Sequence, residues 1–161
     1  MGIYTGTVPT FLAGELLDAD KLLEVTNYMT ASTSAWTDYS GSLTWVGATT
    51  NPVKGNAAIV AKYRRLGKMV QARVSITMGT TTTYGTGFWT VGLPVTPADT
   101  AGCGAAIIFD SGVGQRSASC FINGTGVILV SASALVGGAG STPFTWSTGD
   151  LLMFTIDYEA A

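Results

Sequence analysis

Histidine is absent from the sequence. That removes the Ser-His-Asp and Cys-His nucleophile systems, which need an imidazole base. It also removes the usual zinc and non-haem iron donor sets. Charge is scarce as well: Asp, Glu, Lys and Arg make up 11% of 161 residues, against about 25% in an average soluble domain. A surface so poor in charge protects badly against association, so copies of the chain are expected to cover part of it. The net charge of −2 gives no footprint for general nucleic-acid binding. No apolar run approaches the ~20 residues that span a bilayer; runs such as Val127-Ile128-Leu129-Val130 are short. No basic-plus-apolar leader opens the chain, so Sec export is not expected.

Cysteine is limited to Cys103 and Cys120. Their spacing fits no zinc pattern. They could pair if neighbouring strands bring them together, or remain small buried thiols in a reducing cytosol. No Walker pattern occurs, and the glycines at 79, 85, 87, 138 and 140 lack the strand-to-helix setting of a phosphate loop. They are expected as turn glycines. No cofactor is expected.

What is present is alternation. Val70, Ala72, Val74, Ile76 and Met78 fall on one face, and Gln71, Arg73, Ser75 and Thr77 on the other. Period two over nine residues predicts a strand with one buried face. Ile59, Ala61 and Tyr63 alternate in the same way before it, and Arg65-Leu66-Gly67-Lys68 lies between, with Gly67 able to take a positive φ. An antiparallel hairpin is predicted, and the sheet is expected to grow from it. Further strands are expected at residues 43–46, 87–93, 103–109, 116–122 and 126–132. A closing strand buries Leu152, Phe154, Ile156 and Tyr158. Asn123-Gly124 matches a two-residue hairpin turn better than it does a glycosylation acceptor.

About eight short strands separated by turn signals, with no helices between them, predict an all-β antiparallel sandwich or jelly-roll-like domain over residues 36–161. Residues 1–35 are expected as an extended arm and one short helix. That helix is N-capped by Asp18, with Leu22, Val25 and Met29 on one stripe. At about three turns it would be marginal alone and must pack on something.

The carboxylates Asp99, Asp110 and Asp150 sit among Gly, Pro, Thr and Ser, where Asp stabilises turns. Asp157 alternates out of the core. A glycan-cleaving pair is therefore not expected, and the chain is expected not to be an enzyme. Most of Trp36, Trp45, Trp89 and Trp146 should be core or interface, with one available as a ligand platform. Lys62, Arg64, Arg65 and Lys68, with Arg73, form a basic cluster. It is either a solvated edge protecting the sheet or a docking patch for an acidic partner. Two polar loops, 79–85 and 137–142, are expected to be exposed.

Trp36-Thr37-Asp38-Tyr39, Gly55-Asn56, the run from Tyr63 to Val70 and the run from Gly87 to Pro94 together resemble a domain common in tailed-bacteriophage virion surface proteins. The opening residues 9–19 resemble the N-terminal segment of minor tail or fibre proteins. The resemblance implies a virion protein whose C-terminal β domain forms a homotrimer. Its N-terminal segment would attach to a major capsid or tail protein. Tyr4, Phe11 and Leu12 are the expected anchors, and Leu22, Val25 and Met29 the expected trimer contacts. The arm joins the β domain almost directly, which favours a compact capsid decoration or small tail-tip subunit. A receptor-binding module for host-surface glycan is the alternative. Neither nucleic acid nor membrane insertion is expected.

Overall fold

The computed structural model describes residues 19–32, 36–131, 134–139 and 144–161. The domain is all-β and antiparallel, with one short helix before it. Helix α1 spans Ala19–Ser32, and the strands are β1 Thr37–Asp38, β2 Trp45–Gly47, β3 Ala58–Leu66, β4 Met69–Thr77 and β5 Trp89–Gly92. They continue as β6 Cys103–Asp110, β7 Gly114–Asn123, β8 Gly126–Ser131, β9 Ala134–Leu135 and β10 Leu151–Glu159. The strands run as one hydrogen-bonded sheet in the order β1-β3-β4-β10-β6-β7-β8-β5-β2, with β9 paired to β8.

The sheet has to curl. If it were flat, its eight strand spacings would separate β1 from β2 by roughly 38 Å. The seven residue-to-residue steps from Asp38 to Trp45 reach about 25 Å at most. The chain satisfies both by bringing the two ends of the sheet towards each other, with a 3₁₀ turn at Ser40–Ser42 between them. One core cluster therefore draws on Val74, Ile76, Phe154 and Ile156 from one half and on Trp45, Trp89, Val91 and Leu129 from the other. Tyr158 on β10 ties the halves together: its hydroxyl donates to the Val95 carbonyl at 2.9 Å. The result is sandwich-like, with two halves across one core.

The expected hairpin is present. Leu66 pairs with Met69, and Gly67 turns the chain at φ 59°. Val70, Ala72, Val74, Ile76 and Met78 are all buried, as are Leu152, Phe154, Ile156 and Tyr158. The second hairpin differs from expectation by one residue. Asn123 pairs with Gly126 as the last position of β7, so Gly124-Thr125 forms the turn, with Gly124 at φ 61°. A glycine at the first turn position suffices in both hairpins, and Asn123 stays in the ladder. Strands β1 and β9 were not expected. The expected N-cap Asp18 and the expected anchors Tyr4, Phe11 and Leu12 lie outside the described residues.

The loop at 79–85 is less free than its polarity suggests. Thr82 is buried, and Tyr84 packs against the core. Asn56 staples this loop: its Oδ1 accepts from the Thr81 backbone N–H at 2.9 Å and from the Thr81 hydroxyl at 3.0 Å. Its Nδ2 donates to Thr80 Oγ1 at 3.0 Å. Gly55 before it takes φ 53°. Asn56→Ala is expected to cost about 1–2 kcal/mol, less than the sum of the bonds because the site is exposed. The urea midpoint measures it. The loop at 137–142 is described only to residue 139, where the Gly137 and Gly138 backbones lie against Gly87 and Gly85.

The two cysteines do not pair. Cys103 faces Phe121 and Cys120 faces Gly104 across β6–β7, so alternation sends them to opposite faces; Cys103 is exposed and Cys120 buried. Burial pushes the Cys120 thiol up from 9.0 to about 11 and the Tyr158 hydroxyl up from 10.0 to about 12. Tyr39 is raised too, by burial and by the neighbouring Tyr158. Each group holds its proton in the folded state at a pH where the unfolded chain has released it. Their contribution to stability is complete below about pH 9 and is lost as pH rises towards about 12. Denaturant midpoints measured from pH 8 to 12 should fall steadily, and Tyr158→Phe should flatten the upper part of that fall. Near neutral pH the Tyr39 hydroxyl, buried with no hydrogen-bond partner, is a net cost. Tyr39→Phe is expected to stabilise by about 1 kcal/mol.

Candidate functional site

The outer face of the sheet is the strongest candidate surface, and strand register builds it. Val60, Ser75, Met153, Ile107 and Ser117 form one row across β3, β4, β10, β6 and β7. The next row is Lys62, Arg73, Thr155, Ala105 and Ser119. These side chains point away from the core because their neighbours Ala61, Val74, Phe154 and Ala106 point into it. Val60, Ile107, Phe109 and Phe121 are large apolar side chains left exposed. Between them the short side chains of Ser75, Ala105 and Thr155 leave a trough of about 430 Å³.

One rim of this trough is cationic. Lys62 and Arg73 line it directly, and they are cross-strand partners. Arg64 lies two residues along β3 from Lys62 and so shares its face. The Trp36 ring sits beneath both guanidinium groups, with Arg73 Cζ 4.2 Å and Arg64 Cζ 5.3 Å from its centroid. Each such contact contributes on the order of 0.5–1 kcal/mol at an exposed site. No ion pair forms between Lys62, Arg64 or Arg73 and a described carboxylate. Like charges on paired strands repel, and Asp38, the cross-strand partner of Lys62 on β1, sets one carboxylate beside the rim.

The expected basic patch is thus divided. Lys62 and Arg64 belong to the rim. Arg65 alternates to the other face of β3, where its Nε donates to the Gly67 carbonyl at 2.7 Å and closes the turn. Lys68 pairs with Glu159 at 3.4 Å, an exposed contact of little energetic weight. Arg73 and Trp36 complete the rim in their place. The expected trimer contacts lie on α1: Leu22 and Met29 are exposed and Val25 is half-buried.

A second, polar cleft of about 420 Å³ opens beside the β1 edge, lined among others by Asp38, Ser42, Thr44, Tyr63 and Leu93. The Ser40 backbone N–H, donating to Asp38 Oδ1 at 2.8 Å, holds the Asp38 carboxyl below its ordinary value, with the Ser40 hydroxyl and the Lys62 charge adding to it. Tyr63 meets Tyr39 edge-on at 5.8 Å.

The other carboxylates serve turns. Asp99 Oδ1 accepts from the Ala101 N–H and Asp110 Oδ1 from the Gly112 N–H, while Asp157 is exposed. Among the described residues no cluster of three or more Cys, Asp or Glu is placed to hold a metal ion, and no helix is long and apolar enough to cross a membrane. Three of the four tryptophans, Trp45, Trp89 and Trp146, are core. Comparison with protein-family models, curated proteins and solved structures finds no match to this chain.

Proposed function

We propose that this chain is a non-enzymatic structural protein of a bacteriophage virion surface. It is made in the host cytoplasm and displayed on the particle as a homotrimer. Residues 1–15 attach it to a major capsid or tail protein, with Tyr4, Phe11 and Leu12 as anchors, and it acts as a compact capsid decoration or small tail-tip subunit. The observation that carries the reading is the exposed apolar outer face around Val60, Ile107, Phe109 and Phe121, on a chain with few charges to keep it apart from its copies. The tailed-phage placement rests on the sequence resemblance at Trp36-Thr37-Asp38-Tyr39, Gly55-Asn56 and the two runs that follow. Three arms on one assembly would turn weak contacts into stable attachment, because the second and third bind intramolecularly.

Electron microscopy of intact particles with a labelled antibody tests the reading. Label over the head identifies a decoration protein, and label at the tail end a tail-tip subunit. Particles without label would overturn it.

The polar cleft at the β1 edge favours one alternative, a receptor-binding module for host-surface glycan. A carboxylate, two hydroxyls and the Tyr63 ring around one cleft are groups that hydrogen-bond and stack on sugars. In that case Asp38→Ala would lower host adsorption with the virion content of the protein unchanged. Equal adsorption would remove the alternative.

A further inference from the structure

The trough has an apolar floor and one charged end, and it runs across the strands. Arg73 is on β4, Met153 and Thr155 on β10, and Ala105 and Ile107 on β6. From Arg73 to Ile107 is two strand spacings, about 10 Å. The floor is shallow-sided because Ala105 carries a single methyl. The Thr155 hydroxyl is tied down, donating to the Ala72 carbonyl at 3.3 Å. Val60 and Ile107 stand beside the floor, 50% and 38% exposed. An apolar cavity of about 430 Å³ with a few polar groups at one end has the make-up of a small-molecule site.

The free charge at that end is on the arginines. Lys62 faces Asp38 across β1–β3, and the two charges favour each other. Arg64 and Arg73 have no ion pair with a described carboxylate; Asp157, which shares their face beside Gln71, forms none with either. Both guanidinium groups are held against Trp36 instead, at 5.3 and 4.2 Å from its ring centroid. Stacking uses the flat face of a guanidinium and leaves its N–H edge free to donate. That edge fits a planar oxyanion through two parallel hydrogen bonds.

We infer that the trough binds a small amphipathic carboxylate, an unbranched aliphatic acid of medium chain length. The carboxylate takes the N–H edge of Arg73, with Arg64 adding charge. The alkyl chain crosses Thr155 and Met153 to end beside Ala105 and Ile107. Two strand spacings set the buried tail at roughly eight carbons. Phe109 and Phe121 are outside the lining, so a contact between copies at those residues leaves the trough open. The inference goes beyond the virion reading and does not depend on it.

The test is isothermal titration calorimetry of the full chain with decanoate, kept below the concentration at which it forms micelles. One saturable site per chain is expected. Ala105→Phe sets a ring on the floor and should abolish it. Arg73→Gln should weaken decanoate at least about tenfold, and decanol should bind wild type and Arg73→Gln alike. Hexanoate should bind wild type at least about tenfold more weakly than decanoate, because four methylenes leave the trough. Arg65→Gln, on the other face of β3, should keep wild-type affinity. Near-UV circular dichroism of the buried tryptophans checks folding. If Ala105→Phe fails that check, Arg73→Gln and the hexanoate comparison still decide. A wild-type chain that does not saturate, or hexanoate as tight as decanoate, would overturn the inference. Decanoate affinity left intact by either folded variant, Ala105→Phe or Arg73→Gln, would overturn it too. None of these results bears on the antibody labelling of particles, so the two readings fail separately.

Discussion

Trp89→Ala is expected to destabilise the domain by about 3–5 kcal/mol, the range for removing a fully buried large aromatic side chain. Trp89 is 0% exposed. Its ring meets Trp45 edge-on at 4.9 Å and Trp146 at 4.9 Å with a 38° tilt, and Phe144 extends the stack from Trp146 at 4.6 Å. These residues come from β2, β5 and the segment before β10, so one truncation loosens contacts that join distant parts of the chain. The indole N–H donates to the Tyr84 carbonyl at 2.9 Å, and that bond holds the 79–85 loop against the body. Trp89→Phe should cost less, about 2 kcal/mol, since it keeps an aromatic ring but loses the donor and part of the volume. Urea denaturation followed by tryptophan fluorescence separates the two variants. An alanine variant within 1 kcal/mol of wild type would mean that the core closes over the gap.

The parts of the fold that could be read from the sequence are those set by local pattern. Strands β4 and β10 alternate cleanly because one side of each faces the core, and every inward residue expected there is buried. Strand order could not be read. β10, near the end of the described chain, lies between β4 and β6, and nothing local to Leu151–Glu159 names its partners. The two-residue strands β1 and β9 carry too few residues to show a period. Helix α1 was visible from its apolar spacing, but the exposure of that stripe depends on what it packs against, which spacing alone does not contain.

The candidate surface was legible only in part, for a related reason. Lys62 and Arg64 lie close in sequence to Arg65 and Lys68, yet alternation divides neighbours between faces. Arg73 joins the rim by cross-strand register and Trp36 by the fold of the β1 edge. One sequence signal for the trough did exist. Strand β6 reads Cys-Gly-Ala-Ala-Ile-Ile-Phe-Asp, a run that fails to alternate. Apolar residues on both faces suit a strand covered on both sides, and the outer face of β6 is uncovered in a single copy.

Asp150→Ala is expected to cost about 3–5 kcal/mol, the other large loss in this domain, although the residue touches no candidate surface. Asp150 is 0% exposed, and a buried carboxylate is tolerable only when its oxygens are fully bonded. Here they are. Oδ1 accepts from the Ser111 backbone N–H at 2.9 Å and from the Ser111 hydroxyl at 2.9 Å. Oδ2 accepts from the Ser147 N–H at 2.6 Å and from its hydroxyl at 3.2 Å. The Asp150 carbonyl also accepts from the Met78 N–H at 2.8 Å. One side chain thus pins the β6–β7 turn to the turn before β10, and its backbone holds the end of β4. Alanine would strand two backbone N–H groups, the costly half of a broken hydrogen bond. Asn at this position keeps the shape but presents an amide NH₂ to one serine pair, so Asp150→Asn should lose about half as much. Ser111→Ala removes one hydroxyl and leaves the backbone bond, so about 1 kcal/mol is expected. That ranking, alanine worse than asparagine worse than Ser111→Ala, distinguishes a bonded hub from a carboxylate that merely fills space. Equal losses for Asp150→Ala and Asp150→Asn would put the whole effect on the negative charge and none on the amide's remaining bonds.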